Sequence, residues 1–107
     1  MSEHVIVFIT TRSVEEAKQI AEVLVGQQLA ACVNIVPEIL SIYRWQGKIE
    51  NDTEAKMIIK TKSSLVSQLT QTVKKLHSYD VCEVTVVPII SGNPDYLKWI
   101  DESVQGG

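Results

Sequence analysis

His77 is followed five residues later by Cys82 and then by Glu83. An imidazole, a thiolate and a carboxylate are all ligands for borderline-soft ions, which makes this trio a candidate site for Cu(II) or Zn(II). A histidine closing a helix also has a structural explanation, because an imidazolium favours the negative end of the helix dipole. A second group is polar and aromatic. Lys60, Glu83, Tyr43, Trp45 and Tyr79 fall at strand ends or on hairpin arms, where they outline a pocket for a small anion or metabolite at a boundary between subunits. The alternative is structural: Lys60 and Glu83 form an ion pair that fixes an assembly, since charges on apolar strands need partners.

Enzymatic chemistry has little to stand on. Catalysis needs a nucleophile, a base and an orienting group. The chain offers His4, His77, Cys32 and Cys82, with no Gly-rich phosphate loop, His-Glu-x-x-His or Gly-x-Ser-x-Gly. His4, ahead of the first strand, reads as solvated, and Cys32 in an apolar run reads as a small core residue. The loop Thr10-Thr11-Arg12-Ser13 holds no soft ligand, which removes a Cys-x-x-Cys copper carrier. A protein that is not an enzyme is expected.

The elements that position these residues follow from periodicity. Val5 to Ile9 is a β-branched and aromatic run that reads as a strand covered on both faces. Ser13 with Glu16 forms a capping box ahead of a helix carrying Val14, Ala17, Ala21, Leu24 and Val25, which Gly26 ends. Leu29 to Val36 is a second strand halted by Pro37, and the chain resumes through Ile39, Ile42, Tyr43 and Trp45 to a turn at Gln46-Gly47. A long strand then runs to Lys62, interrupted by Glu50-Asn51-Asp52, with Glu54, Lys56, Ile58 and Lys60 on one face. Ser63 or Ser64 caps a helix with a stripe of Leu65, Leu69, Val73 and Leu76. Val81 to Ile90 reads as a strand too apolar to have a wet face, and Asn93-Pro94 opens a last helix through Leu97, Ile100 and Val104. The tail Gln105-Gly106-Gly107 has nothing to hold it.

This order, β-α-β-β-α-β with a terminal helix, predicts one α+β domain over 1–107 of the ferredoxin-like class, two helices covering one face of a four-stranded antiparallel sheet. Two features do not close on a single chain. The outer strands are apolar on both sides, and the 16 residues from Ala30 to Trp45 would span ~50 Å at about 3.3 Å each. An open sheet face and a long hairpin arm that pack on identical subunits account for both.

The 107 residues are 45% hydrophobic and 21% charged with a net charge of -3, enough chain for one core and without the basic surplus of a nucleic-acid binder. Lys74 and Lys75 read as a solvated helix face. No apolar run reaches the ~18 residues of a membrane span. Met1-Ser2-Glu3-His4 lacks the basic region of a signal peptide, so a cytoplasmic protein with free thiols and no membrane partner is expected.

Five blocks in order resemble the CutA family, the divalent-cation tolerance proteins. They are Ala30-Ala31-Cys32-Val33-Asn34-Ile35, Ser41-Ile42-Tyr43-Arg44-Trp45-Gln46-Gly47, Glu54 with Ile59-Lys60-Thr61, His77-Ser78-Tyr79-Asp80-Val81-Cys82-Glu83, and Asp95-Tyr96-Leu97-Lys98-Trp99-Ile100. The resemblance implies a ferredoxin-like homotrimer with crossing hairpin arms, similar in assembly to PII signalling proteins, and a role in tolerance of copper and other divalent ions. Ser78 and Cys82 stand where the family has prolines. The family's copper-ligand positions correspond to Ile9, Leu76 and His77, and only His77 matches. Copper or another divalent metal is therefore the implied cofactor, with His77, Cys82 and Glu83 as ligand candidates. A PII-like sensor of small ligands is the alternative.

Overall fold

The computed structural model describes residues 3–106. Strand β1 (His4–Thr11) leads through Ser13 into α1 (Val14–Gly26). The Ser13 hydroxyl accepts the Glu16 N–H at 3.2 Å, while the Glu16 carboxylate reaches past it to the Arg12 N–H at 3.0 Å. This is the expected box shifted by one residue. Ala17, Ile20 and Leu24 are the buried positions, whereas Val25 faces out. Gly26 stays helical; the left-handed residue that ends α1 is Gln28, at φ 58.

Strands β2 (Cys32–Trp45) and β3 (Lys48–Lys62) form one long antiparallel hairpin. Its turn, Gln46-Gly47, has φ of 51 and 80, the pair of positive values that a tight two-residue connection requires and that glycine accepts without strain. Pro37 does not halt β2. Val36 pairs with Lys56 and Ile39 with Glu54, so three steps on β2 match two on β3 and one extra residue is inserted as a bulge. Nor does Glu50-Asn51-Asp52 interrupt β3, because these residues lie on the arm, where both faces meet solvent.

A 3-10 turn (Ser63–Leu65) precedes α2 (Val66–Leu76), which has no side-chain cap; neither Ser63 nor Ser64 supplies one. Leu65, Leu69 and Val73 are buried, and Leu76 is exposed beyond the end of the stripe. Strand β4 is only Thr85–Pro88, shorter than expected and exposed along its whole length. Residues 81–84 leave the sheet so that Cys82 and Val84 pack against the core. Helix α3 (Pro94–Ser103) starts at Asn93, whose side chain accepts the Asp95 N–H at 3.0 Å.

The strand order is β2-β3-β1-β4, with every neighbouring pair antiparallel. Val5, Val7, Ile9, Ala55, Met57 and Ile59 join α1 and α2 in one core. The alternate face of β1 and β3 is open over most of its length, and α3 reaches onto its end, where Asp101 bonds His4 Nε2 at 2.7 Å. His4 is thus tied down rather than solvated. So is the tail, whose Gln105 N–H and side-chain amide donate to the Gln28 and Gln27 carbonyls at 2.9 and 2.7 Å. The expectations about Met1, Ser2 and Gly107 fall outside the described residues. The hairpin stretches the molecule to 44 × 25 × 22 Å, and among the described residues no helix is long and apolar enough to cross a membrane.

Candidate functional site

The bulge decides where the hairpin's aromatics point. Below it, even-numbered residues of β2 share a face with even-numbered residues of β3 (Asn34 with Ile58, Cys32 with Lys60); beyond it, Ile39, Ser41, Tyr43 and Trp45 share a face with Glu54, Asp52, Glu50 and Lys48. Ser41, Tyr43 and Trp45 are thereby carried to the open sheet face, beside Glu54 and Thr10. The connection from α2 to β4 folds over the same end and adds Ser78, Tyr79, Asp80, Val81 and Glu83. Together these residues line a half-open cavity of ≈ 670 Å³.

Two of its walls are held by hydrogen bonds to acids. The Tyr79 hydroxyl donates to Glu54 Oε2 at 2.7 Å. Burial, followed by this bond and by the Glu54 charge, raises the phenol well above its ordinary range. The Tyr43 hydroxyl donates to Asp52, and that bond is the first reason its pKa is pushed up to about 12. Both phenols are therefore neutral donors to these acids, and the Tyr79 ring also lies 4.9 Å from the His77 ring. Glu83 accepts from Thr10 Oγ1 at 2.6 Å and Thr85 Oγ1 at 2.8 Å, with Lys56 Nζ at 3.6 Å. Its burial works against ionisation, but the two hydroxyl bonds and the lysine outweigh it and hold the carboxyl below its usual range.

His77 is buried behind this wall. Its Nε2 faces the Thr10 carbonyl at 2.7 Å, and its Nδ1 faces the Tyr79 N–H at 3.0 Å. A carbonyl only accepts and an amide N–H only donates, so these partners set the tautomer: Nε2 carries the proton and Nδ1 accepts. Beside it, Glu16 Oε2 accepts the Ser78 N–H at 2.7 Å and lies 3.9 Å from Nδ1. The corner is pinned to both β1 and α1.

Of the residues singled out in the sequence, Tyr43, Trp45, Tyr79 and Glu83 line the cavity. Lys60 does not. It sits lower on β3, where its Nζ donates to Asn34 Oδ1, and the lysine that pairs with Glu83 is Lys56. His77, Cys82 and Glu83 do not converge: the imidazole turns to Thr10, Glu83 faces the cavity, and Cys82 lines a separate depression with Thr70 and Lys74. Among the described residues no three His, Cys, Asp or Glu side chains are grouped so as to hold a metal ion. Sequence reasoning passed over Thr10, Ser41, Glu54 and Asp80 as site residues. The available signal was parity, because one extra residue near Pro37 puts Ser41, Tyr43 and Trp45 on the face of Glu54.

A family model described as CutA1 divalent ion tolerance protein matches residues 5–103. The chain is 53% identical over 97 residues to a Xenopus laevis protein named Protein CutA homolog, covering 91% of this chain and 64% of that one. It spans about half the length of the other vertebrate relatives it matches. A Thermus thermophilus divalent-cation tolerance protein CutA is 47% identical over 98 residues, 92% of this chain and 95% of that protein. The crystal structure of CutA1 from Oryza sativa superposes with a TM-score of 0.95 at 43% identity, covering 99% of this chain and 97% of that one.

Proposed function

The chain belongs to the CutA1 divalent ion tolerance family, and from that premise we propose that it serves divalent-cation tolerance as a cytoplasmic, non-enzymatic homotrimer of ferredoxin-like subunits. The element order and the strand order β2-β3-β1-β4 support the ferredoxin-like reading. The trimer rests on apolar surface. Leu40 and Ile49 on the hairpin arm are 71% and 68% exposed, and Val86, Val87 and Trp45 are uncovered as well, which is uncommon on a monomer. The unpaired outer edge of β4 and the arm are both suited to meeting another copy.

Copper or another divalent ion is the cargo this function implies. The ligand set within one chain does not fit it. The single observation that carries this reading is the saturation of His77, whose two ring nitrogens are both engaged. An ion bound at this corner by one chain would have to break the bonds that pin it to β1. The form of metal binding that leaves the corner intact draws its ligands from more than one copy. The cavity is then free for a small-ligand, sensor-like role similar to that of PII trimers.

Light scattering combined with calorimetric titration of Cu(II) and Zn(II) into metal-free protein tests this. The expected mass is that of three 11.9 kDa chains, with ions bound per trimer rather than per chain. A monomeric mass refutes the assembly. One ion per chain, lost in His77→Ala with the fold intact, refutes the reading of His77.

A further inference from the structure

Glu54 is 7% exposed, and its two oxygens are treated differently. Oε2 accepts the Tyr79 hydroxyl. Among the described residues Oε1 has no hydrogen-bond partner, and no Lys, Arg or His nitrogen lies within 4.0 Å of the carboxylate. Yet no side-chain oxygen or nitrogen among the described residues is sealed off without a partner, so Oε1 opens onto the space that Glu54 lines, which is the cavity. The carboxylate thus presents one free oxygen to the cavity with no counter-charge beside it among the described residues. Glu83 shows the contrast, with two hydroxyl donors and Lys56 already in place.

The rest of the lining states the chemistry of what is missing. Asp80 adds a second uncompensated acid, the walls are the rings of Tyr43, Trp45 and Tyr79, and none of the lining residues is a cation. An organic anion would meet three lining acids, and the nearest lysine, Lys56, is already paired with one of them, Glu83. A bare divalent ion would find too few convergent ligands, since hard cations take about six oxygens, and aromatic faces offer it none. A cation with an apolar body suits both halves: aromatic faces attract it within about 6 Å of their centroids, and Glu54 Oε1 supplies the opposite charge. The volume of ≈ 670 Å³ falls inside the ~300–1,000 Å³ range of small-molecule sites.

We propose that this cavity binds an organic ammonium cation, its charge against Glu54 and its alkyl groups against Tyr43, Trp45 and Tyr79. The assignment rests on the ligand-binding part of the function proposed above, and not on the metal stoichiometry. Trp45 and Trp99 are the two tryptophans of the chain, so in a Trp99→Phe background the emission reports on Trp45, and light scattering at the same choline concentrations separates occupancy from any change in assembly. Choline is the probe, with 3,3-dimethylbutan-1-ol as its neutral isostere and glutarate as an anion. Choline is expected to change the emission saturably. The isostere should bind at least about tenfold more weakly, and Glu54→Gln should raise the choline Kd by about tenfold or more at unchanged mass and circular dichroism. Should Glu54→Gln misfold, Asp80→Asn at the exposed rim replaces it, with a severalfold rise expected.

Equal binding of choline and its isostere, binding of glutarate instead, or an unchanged Kd in the folded variants overturns the proposal. Choline binding alongside one His77-dependent metal ion per chain would sink only the reading of His77. An intact trimer with per-trimer metal binding and no choline response would sink only the ammonium site.

Discussion

Replacing His77 with alanine separates a positioning residue from a metal ligand, because the two roles predict different losses in metal-free protein. The imidazole is buried and bridges the Thr10 carbonyl and the Tyr79 N–H at 2.7 and 3.0 Å. Each such bond contributes about 1 kcal/mol net, and a buried group left unpaired costs about 1–3 kcal/mol. Truncation also leaves a void the size of the ring. With water able to reach part of the site from the cavity side, the sum is about 3 kcal/mol. For a chain of 107 residues that corresponds to a fall in Tm of about 10–20 °C. Urea unfolding followed by circular dichroism in chelator, at one chain concentration because assembly contributes to stability, gives the number. His77→Gln should recover about half, since its amide can still donate to Thr10. A loss below about 0.5 kcal/mol for His77→Ala would place the residue outside the framework. The bonds described here would then not be what holds the corner.

Three further outcomes are expected. Because the Glu83 carboxyl is held below its ordinary value of 4.5, it contributes stability above pH 4.5 that is lost as pH falls through its lower folded value; Glu83→Gln should flatten the acid limb of a stability–pH curve. Ile59→Ala, at a fully buried position on the strand between β1 and β2, should cost about 2–5 kcal/mol in denaturant unfolding. Trp45→Ala should weaken self-association by about 2 kcal/mol or more, seen as dissociation at higher chain concentration in light scattering, with the far-UV spectrum retained.

Much of the fold was legible because it rests on local rules. Ser13 and Asn93 announce two helix starts by side-chain chemistry alone, and Gln46-Gly47 announces the hairpin. The errors lie where tertiary context overrides a local signal. Val81 to Ile90 is mostly apolar, but only Thr85–Pro88 pairs with β1. Cys82 and Val84 before it pack against the core, whereas Val81 and Ile90 face solvent in a single chain. Leu76 fits the period of α2 and is exposed because the helix ends there, on the turn pinned by His77. Gln105 had no pattern to place it; its two bonds to the end of α1 exist only once α3 has docked.

The site was legible in composition and not in geometry, and one residue explains the gap. Reading Pro37 as a stop left the parity of Ser41, Tyr43 and Trp45 undefined relative to β3. As a bulge, Pro37-Glu38 reverses that parity, and the arm's aromatics join Glu54 and Thr10 on the open face instead of following Leu40 and Ile42 to the other one. Distance along one face separates the lysines: Lys56 lies near enough to the cavity to pair with Glu83, whereas Lys60, four residues further along β3, belongs to the level of Cys32 and Asn34. His77 is placed by a different logic, since its five-residue spacing to Cys82 carries no information about which way the ring turns. That is settled by the Thr10 carbonyl, an acceptor freed where β1 runs past the end of β4. A motif of metal-binding residue types can therefore be complete in sequence while its histidine is committed to backbone, and the buried acid left without a counter-charge among the described residues is Glu54, a residue outside that motif.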